Sequence, residues 1–172
     1  MKRYLLMGVA LWALSAGALE AQESAHAMRD DGPEESLIYP PGEVEWQPGP
    51  GSLEPGAEFT ILEGDPGKAG FFTMRIRMPD GYVINPHWHP AVERLTVLSG
   101  TFRLGHGDVL DREAAQPLPA GSYFSMPVGM RHFAIAEGET VIQLSSIGPW
   151  EINYVNPEDD PRLRPDSPSG QD

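Results

Sequence analysis

The chain contains no cysteine, which removes disulfides, thiolate metal ligands and a cysteine nucleophile from any account of its stability or chemistry. Packing, and any metal held by other side chains, must stabilise it. Positive charge is scarce: 12 Lys and Arg stand against 25 Asp and Glu, for a formal net charge of −13. A polyanion such as nucleic acid is therefore a poor partner. Long apolar runs are missing too. The most substantial, Tyr4 to Leu14, falls short of the roughly 20 residues that span a bilayer. Neither a long helical periodicity nor an internal repeat is present, which argues against helical bundles and duplicated domains.

What the N-terminus does contain is a processing signal. Lys2 and Arg3 precede the apolar run, and Ala16-Gly17-Ala18 and Leu19-Glu20-Ala21 offer small-residue cleavage sites, so residues 1–21 read as a secretory signal peptide. This places the mature chain in the periplasm or outside the cell, without membrane insertion once the signal is cleaved. No cysteine follows the run, so lipid attachment there is excluded. Cleavage removes two basic residues and one acidic residue, leaving a net charge of −14. Residues 22–36, which include His26, are polar and acidic and read as a flexible leader. Residues 37–156 make one domain, with 157–172 a disordered tail dominated by Pro, Asp, Ser and Gly.

Within the domain the pattern is that of short strands between Gly and Pro turns. Edge strands are expected at Leu37-Ile38-Tyr39, Val44-Glu45-Trp46 and Phe59 to Leu62. From Phe71 to Met78, Phe72, Met74, Ile76 and Met78 alternate with Thr73, Arg75 and Arg77. The arginines either face solvent or place one guanidinium in a barrel mouth to bind a carboxylate. Further strands are expected at 82–89, 93–99, 101–105, 123–126, 132–136 and 140–146, a spacing that indicates a sandwich or barrel.

The chemistry concentrates in two glycine-punctuated segments. The first runs Gly81, five residues, His87-Trp88-His89, three residues, Glu93, six residues, Gly100; the second runs Gly121, five residues, Pro127-Val128-Gly129, two residues, His132. Residues two apart on a strand share a face about 6.6 Å apart, so the imidazoles of His87 and His89 can converge on one ion while Trp88 points away. Pro90 opposes continued pairing and suggests a turn that returns Glu93 beside them. The turn at Pro127 to Gly129 launches a strand that could carry His132 into the same cavity. Three imidazoles and a carboxylate leave positions open on a six-coordinate ion.

Both spacings resemble the two signature motifs of the cupin superfamily, in particular small secreted bacterial single-domain cupins of the type-2 kind. A chance match of the nine specified residues at a given start is a roughly 10⁻¹² event. The resemblance, densest at 81–100 and 121–132 within a motif core of 70–146, implies an all-β, double-stranded jelly-roll barrel. It also implies His87, His89, Glu93 and His132 as metal ligands. Ala136 stands where such motifs usually have asparagine. The ion is one divalent transition metal, and this ligand set accepts Fe, Mn, Ni, Co, Cu or Zn alike.

Inward parity nominates Leu95, Val97, Ala134 and Gln143 or its neighbours as cavity lining, Gln143 either orienting a metal-bound water or facing solvent. Met74, Met126 and Met130 read as core filler. His106, in Gly105-His106-Gly107, reads as an exposed turn residue, and Trp150 and Tyr154 as seals of the sheet or of a contact between two copies of the chain. Two function classes follow. One is a mononuclear metal enzyme, foremost a dioxygenase-type oxidoreductase acting on a small organic molecule; the other is a non-catalytic protein that uses its metal to hold a small acidic ligand.

Overall fold

The computed structural model describes residues 33, 35–40 and 42–164. The expected signal peptide, most of the leader with His26, and residues 165–172 lie outside them. Nine strands follow in chain order: β1 (Gln47–Pro48), β2 (Glu58–Glu63), β3 (Gly70–Met78), β4 (Val83–Trp88), β5 (Glu93–His106), β6 (Gln116–Pro119), β7 (Tyr123–Met126), β8 (His132–Gly148) and β9 (Asn153–Tyr154). Among the described residues there is no α-helix, and two short 3-10 turns, Pro157–Asp159 and Pro161–Leu163, follow β9.

All strand pairings are antiparallel, in the path β1-β2-β3-β8-β4-β9, with β5 pairing β6, β7 and β8. β8 organises the barrel. Its second half pairs with β3 from Gly70↔Gly148 to Met78↔Thr140, its first half with β4, and its other edge with β5 from Arg94↔Ser145 to His106↔His132. One strand shared in this way makes the sheet curl into the expected jelly-roll barrel.

Two strands are longer than the sequence suggests. Gly100 and Gly138 mark strand ends in the sequence, yet β5 and β8 run through them. Both glycines have φ near +70° (+72° and +71°), and β5 shifts register around Ser99. The glycines supply left-handed bulges that bend a strand without ending it. At Gly100 a Cβ would lie 2.4 Å from the Glu139 carbonyl oxygen, so the close approach needs glycine.

Alternation on β3 is as expected: Phe72, Met74, Ile76 and Met78 are buried, packing with Leu95, Phe102, Ile142 and Leu144 from β5 and β8. Met126 is buried as well, whereas Met130 is 39% exposed and is not the core filler it was expected to be. It sits in the turn before β8, where Met130 N–H donates to the Pro127 carbonyl. Arg75 and Arg77 point outward, the former donating to Gln143 Oε1 and the latter pairing with Glu58 and lying 4.6 Å over the Trp46 ring. Neither occupies the barrel mouth.

The flanks depart from expectation. Residues 37–39 and 44–46 form no strand, and β1 is only Gln47–Pro48. Prolines 40, 48 and 50 remove the amide donors that a longer edge would need. At the other end the chain remains ordered beyond 156, against the expected tail boundary. Asp160 is buried and accepts from Arg162, whose guanidinium also donates to the Ile152 carbonyl at 2.9 Å. The Arg164 guanidinium pairs with the Glu54 carboxylate, and Tyr154 Oη donates to the Ser52 carbonyl at 2.7 Å. These bonds join the loop around Leu53 to the segment after β8, and Leu53 and Ile152 are both buried in the core beneath.

Candidate metal centre

Four elements deliver the polar side chains. His87 lies in β4 directly opposite His132, the first residue of β8. His89 follows the end of β4. Pro90 and the short bend after it return the chain so that Glu93 opens β5 opposite Met126 of β7. All four are buried: His87 and His89 are 3% exposed, Glu93 4% and His132 2%. One ring nitrogen from each histidine lies within 4.8 Å of the other two. Glu93 touches two of them, with Oε1 3.5 Å from His89 Nε2 and Oε2 3.3 Å from His132 Nε2.

The other face of each ring fixes its tautomer. The Nδ1 atoms of His87, His89 and His132 lie 2.6, 2.8 and 2.9 Å from the carbonyl oxygens of Asn85, Glu151 and Met130. A carbonyl only accepts, so each Nδ1 carries the proton and donates it, leaving Nε2 with a free lone pair. Burial holds His87 well below the usual histidine range, with His132 and His89 adding to the effect. Burial also lowers His89, against the opposing pull of Glu93. Neutral imidazoles oriented through Nδ1 are the form that coordinates a metal.

Two buried atoms here have no hydrogen-bond partner, His89 Nε2 and Glu93 Oε2. Both offer lone pairs. His89 Nε2 faces Glu93 Oε1 at 3.5 Å and Glu93 Oε2 faces His132 Nε2 at 3.3 Å; lone-pair atoms so placed are satisfied by a cation, so the donor set fits a metal ion. The cavity they face has about 20 Å³ of room for the centre of a water-sized sphere, little more than a single water needs. Its walls are otherwise apolar. Leu95 and Ala134 line it as expected, while Val97 is buried in the core. Gln143 faces outward toward Arg75, and its neighbours Ile142 and Leu144 line the cavity instead. His106 is exposed, at the end of β5 rather than in a turn.

Trp150 was expected only as a seal, and the structure gives it a closer role. Its indole stacks on His89 with centroids 4.3 Å apart and planes 20° from parallel, and it lines the cavity. Tyr154 packs against the same core and lies 6.1 Å from the His87 ring. No spacing rule marks Trp150, because it reaches the site through the turn at Gly148-Pro149 rather than along a strand.

Comparison with known proteins agrees with this architecture. Residues 34–151 match the family described as the ChrR cupin-like domain. The putative germin-like protein 9-2 of Oryza sativa subsp. japonica is 34% identical over 94 residues, 54% of this chain and 42% of that protein. The chain thus spans less than half the length of that curated relative. Among solved structures, the polyketide cyclase RemF of Streptomyces resistomycificus superposes with a TM-score of 0.59 at 18% identity, over 74% of this chain and 90% of that one. An acetylacetone dioxygenase of Acinetobacter johnsonii gives 0.57 at 18% identity, over 74% and 83%. Such identities show a shared fold and leave activity open. With more than half of its length matched and the barrel in place, the chain belongs to the ChrR cupin-like family of the cupin superfamily.

Proposed function

We propose that this protein is an exported mononuclear metal enzyme, with His87, His89, Glu93 and His132 as ligands, that carries out oxygen-dependent chemistry on a small organic molecule. The observation that carries the reading is the pair of unpartnered lone-pair atoms, His89 Nε2 and Glu93 Oε2, inside an apolar cavity. Four protein ligands leave positions open on a six-coordinate ion, and apolar walls favour an apolar gas or a small organic molecule over water. A redox-active ion there would supply electron transfer to oxygen, whereas zinc would supply only Lewis acidity. The chain's own contribution is orientation: three backbone carbonyls hold the imidazoles, and buried Glu93 adds charge that favours a divalent ion.

A second reading has its own support. Apart from the four proposed ligands, no acidic or basic side chain among the described residues lines the cavity, and its free volume is small, which suits a metal-assisted binding protein as well as an enzyme. One screen separates the two. Apo protein reconstituted with Fe(II), Mn(II), Ni(II), Cu(II) or Zn(II) is tested for oxygen uptake with small phenols, diketones and thiols. The enzyme reading expects uptake with redox metals and none with zinc. No uptake by any form, with a small acid still perturbing the metal spectrum, favours the binding protein.

A further inference from the structure

Three buried polar atoms of the described residues lack a partner: His89 Nε2, Glu93 Oε2 and Trp150 Nε1. A cation satisfies the first two. It cannot satisfy the third, because an indole nitrogen only donates, through its N–H. A buried N–H with no acceptor costs free energy comparable to a lost hydrogen bond, so an occupied site should provide one. Glu93 Oε2 is an acceptor lining the same cavity, yet the two atoms do not meet, since each is without a partner. Every other donor among the cavity-lining side chains is committed: the three histidine Nδ1–H groups point to backbone carbonyls. Among the described residues, Trp150 thus carries the one free side-chain donor in a wall otherwise made of apolar groups and lone pairs.

We propose that Trp150 is a ligand-positioning residue whose indole N–H hydrogen-bonds an oxygen of a small organic oxyanion, a carboxylate or enolate, bound at the metal. The inference rests on the metal-centre reading above and adds to it the class of ligand. Geometry supports it in two ways. The indole stacks at 4.3 Å on His89, so it is held beside the coordination sphere rather than at a distant wall. Its backbone is also anchored, with Trp150 N–H donating to the Pro66 carbonyl at 2.8 Å. A ligand with two oxygens can give one to the ion and the other to Trp150, which sets its orientation and selects against molecules with one polar end. The limited free volume of about 20 Å³ selects small ligands.

Formate, the smallest carboxylate, is the probe. Metal content of the wild-type protein is measured first, then formate is titrated into the Co(II)-loaded protein by its visible spectrum, alongside the Trp150→Phe variant. Phe preserves an aromatic ring against His89 while removing the N–H together with part of the indole's area, so the wild-type indole resonance is read beside the affinity. The proposal expects equal Co(II) content and a dissociation constant for formate raised roughly tenfold, the effect of losing one hydrogen bond to a charged acceptor. In the Zn(II)-loaded wild type, formate should move one indole ¹⁵N–¹H resonance downfield, the one that Trp150→Phe deletes. Affinity equal within about twofold, a stationary Trp150 resonance while formate saturates the metal, or no formate binding to loaded protein each overturns it. If the variant loses its metal or its fold, the wild-type resonance decides alone. Wild-type protein that binds no metal fails at the first measurement and sinks the metal-centre reading itself.

Discussion

Replacing Glu93 with Gln should stabilise the metal-free protein while largely removing its response to metal, a pair of opposite effects that few other roles for this residue produce. Glu93 is 4% exposed, its Oε2 has no partner, and its oxygens lie 3.5 and 3.3 Å from the Nε2 atoms of His89 and His132, which carry lone pairs. Without a cation this is a buried carboxylate facing electron pairs. Such a group costs several kcal/mol in desolvation with little in return. An amide of the same shape removes the charge and can donate an N–H to His89 Nε2 or His132 Nε2, so the metal-free variant should gain about 2 kcal/mol. For a domain of this size that is a rise of roughly 8 °C in Tm. Metal acts the other way. At a free ion concentration of about 1,000 Kd the wild type gains about 4 kcal/mol by mass action, and a hundredfold weaker variant gains only about 1 kcal/mol. Thermal melts of both proteins in chelator and in excess Zn(II), with metal content checked, measure all four states. A variant that melts below the wild type in chelator, or that gains as much from Zn(II), would refute the reasoning.

Burial depresses His87 and His89, so the folded state resists protons that the unfolded chain accepts near pH 6.5. Stability of the metal-free protein is therefore fully present above about pH 6.5 and is lost as pH falls below it, at about 1 kcal/mol per pH unit for His87 and over a narrower range for His89. Urea denaturation between pH 7.5 and 5.5 checks this, and a flat profile contradicts it. Gly105→Ala should lower Tm by about 5–10 °C, because its Cβ would lie 2.0 Å from Phe133 Cζ and that ring is 1% exposed; an unchanged melt would mean that the ring has room to shift. For export, mass spectrometry of the protein from its native host should find an N-terminus after Ala18 or Ala21, and intact Met1 in the cytoplasmic fraction would overturn that proposal.

The convergence of the three histidines and the barrel were legible because each rests on a rule with a short reach. Alternation at 72–78 marks a buried face whatever the partner strand, and His87 and His89 are two residues apart, so any strand aims them together. His132 required a further step, which the Pro127 to Gly129 turn supplied by fixing where β8 begins. Glycine misled where it usually helps. Gly100 and Gly138 look like strand ends, and only the pairing of β5 with β8 shows that they are bulges, a property of two strands that neither records alone. The same limit explains Gln143. Parity counted from the motif could place it or its neighbours inside; the register Arg75↔Gln143 settles that it faces out and that Ile142 and Leu144 face in.

The cap was the least legible part, and it bears most directly on function. Residues 149–164 carry no periodicity, and from 157 onward their prolines and acids have the composition of a tail. What orders the segment is a few specific bonds: Arg162 to Asp160 and the Ile152 carbonyl, Arg164 to Glu54, Tyr154 to the Ser52 carbonyl, and His89 to the Glu151 carbonyl. The last is informative. It makes one backbone oxygen of the cap the group that fixes the tautomer of a histidine of the candidate metal centre, while the residue before it, Trp150, stacks on the same ring. Ordering of the cap and presentation of His89 Nε2 are therefore linked, so a ligand that moves Trp150 also acts on the donor beside it. Metal and a small ligand that both favour the ordered segment should each tighten binding of the other by the same factor.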